Sequence, residues 1–322
     1  MTNDFAYDPL DLENRTFRLV RLGKGQTGDP IQCELFHAYV GDREDDMEYE
    51  ALSYTWGGMD KPCSISMNNQ VMCITSNLFQ ALEHLRNDEE DRVLWIDALC
   101  IDQENPKERG HQVRQMASIY ERARQVIFWL GTATHKTDRA FSYMREFEKE
   151  ALKYSCNYWE PSDERWQIIW STVETQLQKE YSLNKVMQRT DYDALLNRDW
   201  FDRIWIIQEV AKARSARVVC GTKSVSTRVF ALFPSLIGVQ PTPHRQAVLD
   251  IMPGPLRKFS WWLWDQNLET LLRKFQGSKA TDPRDMVYAL LGISTDANNT
   301  KALASDYSKT PGEVARTTIA FL

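Results

Sequence analysis

The chain has 322 residues, 43% of them apolar and 11% aromatic, enough to bury one large core or two ordinary ones. Lys and Arg number 39 against 45 Asp and Glu; the net charge of −6, with no dominant basic cluster, argues against DNA, RNA or an anionic membrane as main partner. The six Cys form no CxxC pair, the five His are dispersed, and Met1–Leu10 lacks a signal-peptide pattern, so the composition points to a cytoplasmic protein without disulfides, bound metal or a membrane span.

The first elements in chain order are strands, Phe17–Leu22 and Ile31–Val40, separated by the turn-rich stretch 23–30. Tyr49–Tyr54 is another strand and runs into Thr55-Trp56-Gly57-Gly58. Ser64–Met67 and Val71–Ile74 flank Asn68-Asn69, a hairpin signal. Leu78, Ala81, Leu82 and Leu85 then follow helical spacing, with Ser76 as the expected N-cap. Val93–Ile96 is a short apolar run of the kind covered on both faces. Asn105, Pro106 and Glu108 sign the start of a helix whose apolar stripe is Val113, Met116, Ala117, Tyr120 and Ala123. Another buried strand, Gln125–Leu130, stops at Gly131.

Strand, helix, strand, helix, strand in this order predicts an α/β fold with a parallel sheet and flanking helices. Residues 137–197 read as a polar helical insertion, followed by an amphipathic helix over Trp200–Ala213 and a strand over Ala216–Cys220. Beyond Thr222 the pattern is mostly helical, with Leu268, Leu271, Leu272 and Phe275 in helical register. The expected division is therefore a domain over 1–221 and a helical extension over 222–322 packed on it. The stretch Thr310–Leu322 reads as a helix cut short, which suggests the N-terminal part of a longer protein.

Ligands of open α/β sheets bind at the carboxyl ends of the strands. Ser53, Tyr54, Trp56 and Gly57 lie at or past one such end, and Asp97 and Asp102 past another. Each also has an ordinary role: Ser and Asp cap turns, and Trp fills core. Glu209 is more informative. It shares a helix face with Trp205 and is flanked by Ile206, Ile207 and Val210, so partial desolvation should raise its pKa. Its structural alternative is an ion pair with Arg203 or Arg198. Cys100 has no His nearby and His111 lies on what reads as a solvated helix face; both are assigned structural roles. There is no P-loop, HExxH, GxSxG, kinase signature or GxGxxG, which excludes hydride transfer on a Rossmann site.

Four blocks occur in order: Ala51-Leu52-Ser53-Tyr54-Thr55-Trp56-Gly57, Leu94 through Gln103 (LWIDALCIDQ), Arg198 through Glu209 (RDWFDRIWIIQE) and Asp282 through Gly292 (DPRDMVYALLG). Together they resemble the fungal heterokaryon-incompatibility (HET) domain, most specifically over residues 17–221. HET domains in turn look distantly related to the TIR family. That resemblance implies a flavodoxin-like sheet and, in catalytic members, cleavage of NAD by an essential Glu on a helix after the third core strand. Here Trp205-x-x-x-Glu209 matches that motif, displaced by the insertion of about 60 residues between strand and helix. The resemblance further implies NAD as substrate rather than cofactor, with Glu209 as the catalytic carboxylate. Ser53, Tyr54, Trp56, Gly57, Asp97, Asp102, Arg203 and Trp205 would then bind NAD. It also implies activation by self-association and an upstream receptor or regulatory partner. The alternative is a non-catalytic module that signals death by oligomerising with like domains.

Overall fold

The computed structural model describes residues 5–41, 47–154, 156, 159–181, 184–298 and 300–322. The strands are β1 (Thr16–Leu22), β2 (Gln32–Tyr39), β3 (Glu50–Ser53), β4 (Cys63–Met67), β5 (Gln70–Ile74), β6 (Arg92–Trp95), β7 (Gln125–Trp129), β8 (Ala216–Cys220) and β9 (Lys223–Ser226). They form one sheet in the order β5-β4-β2-β1-β6-β3-β7-β8-β9. Its centre is parallel, because β3 pairs in parallel with both β6 and β7, and β7 with β8. Its flanks are largely antiparallel: β1 pairs β2 and β6, β4 pairs β5, and β8 pairs β9. Every residue of β3 is buried, as befits a strand covered on both faces.

The helices up to β8 are α1 (Ser76–Leu85), α2 (Asp97–Cys100), α3 (Pro106–Arg122), α4 (His135–Ala151), α5 (Glu164–Tyr181), α6 (Lys185–Leu196) and α7 (Trp205–Lys212). After β9 come α8 (Thr227–Ile237), α9 (Pro243–Asp250), α10 (Pro255–Phe259), α11 (Leu268–Lys274), α12 (Asp285–Leu291) and α13 (Pro311–Phe321). The α/β frame and the helical insertion, α4 to α6, agree with the sequence reading. The Asn68-Asn69 turn has φ of 51° and 63° at its two residues, the left-handed pair that a two-residue hairpin requires. Asn105 caps α3 with its side chain on the Lys107 and Glu108 amides.

Four local expectations need correction. Thr75, not Ser76, caps α1, its Oγ1 accepting from the Leu78 amide. The helix expected over Trp200–Ala213 begins only at Trp205, after a 3-10 turn over Asp199–Asp202. The cause is tertiary: the Ile204 amide donates to the Lys279 carbonyl at 3.0 Å and Arg203 forms a β-bridge with Lys279, so the chain is extended where a helix would run. The segment after Thr222 opens with a strand, β9, before it becomes helical. The face of α3 that carries His111 is not solvated: His111 bonds the Asn14 carbonyl at 3.0 Å, and Gln112 and Gln115 bond that of Thr16. The chain before β1 covers that face.

The β8–β9 turn shows how closely the frame is packed. Gly221 has φ +56°, its amide bonds the Gly131 carbonyl, and an added Cβ would stand 2.8 Å from the Ala133 Cβ. Gly221→Ala is expected to destabilise the protein by about 1–3 kcal/mol, read as a lower urea midpoint with an unchanged m-value.

Among the described residues no helix is long and apolar enough to cross a membrane, and no group of three or more His, Cys, Asp and Glu is placed to hold a metal ion.

Candidate active site

In chain order the four parallel strands lie second, first, third, fourth across the sheet, so the direction of winding reverses between β3 and β7. The crevice at the carboxyl ends of strands beside such a reversal is where open α/β sheets bind ligands. Ser53 is the last residue of β3 and Tyr54 follows it, while Asp97 begins α2 two residues past the end of β6. The helix α7 lies against α3, and it presents Glu209 to Tyr120 of α3 and Ser53 of β3.

Glu209 is 2% exposed, and its Oε2 has no hydrogen-bond partner. Burial pushes its carboxyl up to about 7. The Arg203 guanidinium and the hydroxyls of Ser53 and Tyr120 oppose the rise, whereas the Asp97 charge adds to it. Neither proposed ion-pair arginine is spent on this carboxylate by a direct hydrogen bond. Arg203 donates to the Tyr54 carbonyl and Arg198 to that of Thr132. A carboxyl that titrates near neutral pH, buried at the end of a parallel strand, suits a group that must change charge or stabilise developing charge.

The neighbours of Glu209 are held from several elements. Ser53, 1% exposed, accepts a 2.8 Å hydrogen bond from the Trp200 indole, itself 1% exposed. Tyr120 donates to the Leu52 carbonyl at 3.1 Å. The Tyr54 hydroxyl is buried without a partner; burial first, then the nearby Asp97 charge, drive its pKa well up. Asp97 Oδ2 accepts the half-buried Trp56 indole at 2.9 Å and Oδ1 the Ala98 amide at 2.7 Å. Burial raises the Asp97 carboxyl too, against the lowering pull of Arg203. Gly57 is exposed at φ +78°, and a Cβ there would meet Asn77 Cβ at 3.1 Å, so the turn after Trp56 requires glycine.

The structure thus gathers Ser53, Tyr54, Arg203 and Glu209, with Asp97 and Trp56 beside them. Two residues singled out from the sequence stand apart. Asp102 caps a turn at the Glu104 amide, and its own amide bonds Glu108, in the neighbourhood of Tyr7. Trp205 turns its indole to Asp285 at 3.0 Å, and Asp285 also accepts from Tyr307 at 2.7 Å, so Trp205 joins α7 to the C-terminal helices. Sequence reasoning passed over Trp200 and Tyr120. The signal for Trp200 was a second Trp in the Glu209 block, since a buried indole N–H needs an acceptor. Tyr120 read only as one member of an apolar stripe.

The site is closed. Two polar cavities of 460 and 330 Å³ lie elsewhere, one against α12 and the segment after it, the other between α4 and α5. A substrate therefore reaches Glu209 only when neighbouring groups shift.

The chain is 28% identical over 345 residues to "Heterokaryon incompatibility protein 6, OR allele" of Neurospora crassa, covering 92% of this chain and 50% of that protein. It thus spans about half the length of that relative. No solved structure matches the chain. The family model of Heterokaryon incompatibility protein (HET) matches residues 49–209, half of the chain, which runs from the residue before β3 through Glu209. On that match, the chain belongs to the heterokaryon incompatibility (HET) family.

Proposed function

We propose that the protein is a cytoplasmic cell-death effector of the incompatibility kind, which cleaves NAD at the nicotinamide–ribose bond when self-association opens its site. The observation that carries this reading is Glu209, a buried carboxyl pushed up to about 7 with one oxygen unpartnered, at the sheet's switch point. An unsatisfied buried carboxyl is costly to a fold and is characteristic of functional sites. The strand order of the parallel core is the one a flavodoxin-like, TIR-related sheet would have, which supports the kinship. The incompatibility role draws on the family and on the relative's name.

The chemistry needs few groups. The C1′–N bond breaks with its electron pair going to the pyridinium nitrogen, so nicotinamide leaves neutral and no general acid is required. The oxocarbenium-like C1′ is stabilised by the Glu209 carboxylate and captured by water, which gives ADP-ribose and one proton. In this reading Ser53, Tyr54 and Asp97 would meet ribose hydroxyls, Trp56 would stack on the nicotinamide, and Arg203 with the Gly57-Gly58 amides would meet the diphosphate. NAD is the substrate, and the mechanism assigns no separate cofactor. An upstream receptor or partner would supply the signal that drives assembly.

The test is NAD loss and nicotinamide release by protein assembled at high concentration, wild type against Glu209→Gln. The pH dependence is specific. The carboxylate is the working form, so kcat/KM is expected to rise with pH through about 7 and then level. Bound NAD brings a cationic pyridinium beside Glu209, which favours the carboxylate, so the corresponding limb of kcat is expected at lower pH. A flat profile between pH 5 and 9 would remove Glu209 from the reaction.

One observation favours a second reading, a non-catalytic module that signals by oligomerising: the enclosure of Glu209, at 2% exposure. Assembled protein that leaves NAD intact would select it.

A further inference from the structure

Resting on the assignment of Glu209 as the working carboxylate, we propose that Trp200 is a positioning residue that acts through Ser53, its indole N–H fixing the Ser53 hydroxyl so that the hydroxyl's own proton points to Glu209. The argument is one of hydrogen-bond valence. An indole nitrogen only donates, whereas a serine hydroxyl has one proton and two lone pairs. The 2.8 Å bond from Trp200 Nε1 therefore occupies a lone pair of Ser53 Oγ and leaves the Ser53 proton to be donated. Both side chains are 1% exposed, so water does not compete for that proton. The Leu52 carbonyl already accepts from Tyr120. The nearby acceptor in want of a donor is Glu209, which the Ser53 hydroxyl acts on and whose Oε2 is unpartnered. Trp200 is in turn immobilised by rings: Phe128 of β7 lies 5.0 Å away between centroids and Phe201 lies 5.0 Å away edge-on. The chain thus runs from a rigid aromatic cluster to the carboxylate, and a hydroxyl aimed in advance costs no reorganisation when Glu209 ionises.

The other charged or titratable groups facing Glu209 are Arg203 just before α7, Asp97 on α2, Tyr54 after β3 and Tyr120 on α3. None of them bonds the Trp200 indole (the Arg203 amide meets only the Trp200 carbonyl), so removing the indole N–H alters one input to Glu209 and leaves the rest.

The experiment follows the Glu209 carboxyl by ¹³C NMR in glutamate-labelled protein, with Glu209→Gln identifying the signal. Wild type, Trp200→Phe, Ser53→Ala and the double variant are compared, and NAD cleavage is measured in parallel. Trp200→Phe keeps an aromatic ring for Phe128 and loses the N–H. The titration midpoint of Glu209 is expected to move to higher pH in both single variants, and no further in the double variant than in Ser53→Ala. NAD cleavage at pH 6.5 is expected to fall about tenfold or more in Trp200→Phe, because a Ser53 hydroxyl no longer fixed by the indole loses its hydrogen bond to the charged Glu209. A midpoint that moves in Ser53→Ala but stays put in Trp200→Phe would overturn the inference, as would additive shifts in the double variant. Should Trp200→Phe not fold, β-(3-benzothienyl)alanine in place of Trp200 preserves the indole outline without its N–H and gives the same two outcomes. The midpoints answer whether or not wild type cleaves NAD. Coupled midpoints with no cleavage would retain the positioning role and reject the enzymatic reading.

Discussion

Glu209→Gln is expected to lower NAD cleavage by at least about 10²–10³-fold, the usual effect of deleting one preorganised group that stabilises transition-state charge. The same substitution is expected to stabilise the fold at alkaline pH. In the native state burial holds the Glu209 carboxyl near 7 instead of its ordinary 4.5, so the folded protein binds this proton more tightly than the unfolded chain. Its contribution to stability is complete below 4.5, is lost as the pH rises, and is gone above about 7. At about 1.36 kcal/mol per pKa unit, ionised Glu209 costs the native state on the order of 3 kcal/mol at pH 8. Gln has nearly the shape of the protonated acid and does not ionise. Urea unfolding at pH 5 and pH 8 should therefore show little difference from wild type at the lower pH and a more stable variant at the higher. A variant less stable than wild type at pH 8 would mean that the native state holds Glu209 as a well-paired carboxylate. Lower activity combined with higher stability separates a functional carboxylate from a structural one.

The second large effect lies away from Glu209, at Arg18 and Glu108, which are 1% and 2% exposed. Their Nη1–Oε1 contact is 2.6 Å, with a second bond from Nη2 to Oε2 at 3.0 Å. The guanidinium also donates to the carbonyls of Cys100 and Asp8, and Glu108 Oε1 accepts the Asp102 amide. Glu108→Ala would strand Arg18 in the core and leave the Asp102 amide without its acceptor. A loss of about 3–5 kcal/mol is expected, since an uncompensated buried charge is worse than no charge at all. The companion variant Arg18→Met with Glu108→Leu should recover much of that loss, because it removes both desolvation penalties together. Failure of the double variant to improve on Glu108→Ala would show that the pair's backbone contacts matter more than its charges. Since β1 and α3 meet through this pair, the substitution also probes how firmly the segment before residue 49 is joined to the family core.

Elements written in local chemistry were legible in the chain. Gln125–Trp129 is a strand because its apolar run is short and stops at a glycine, and Asn105-Pro106 starts α3 because the cap and the ring both suit a helix N-terminus. Glu209 could be singled out because Ile206, Ile207 and Val210 beside it imply desolvation, and the structure buries all four. Elements governed by distant partners were not legible. Nothing between Trp200 and Ile204 signals that Lys279, 75 residues beyond Ile204, will bridge to Arg203, hold it extended and so delay the helix to Trp205. His111 looked solvated because the N-terminal segment that covers it is far away in sequence. Trp205 shares a helix with Glu209, yet its indole is claimed by Asp285 from a block 80 residues later.

The sequence by itself determined the α/β class, the four motif blocks and the candidate carboxylate, because periodicity, caps and apolar flanks act over a few residues. Only the tertiary structure decided which blocks meet. The parallel pairing of β3 with β6 and β7 brings Ser53 and Asp97 to one edge, and the packing of α7 against α3 buries Glu209 beside Tyr120. The ring cluster at Trp200 delivers an N–H to Ser53. Those contacts join residues far apart along the chain. Their selection rests on the burial of apolar surface and the pairing of every enclosed polar group across the whole fold, a condition no local pattern encodes.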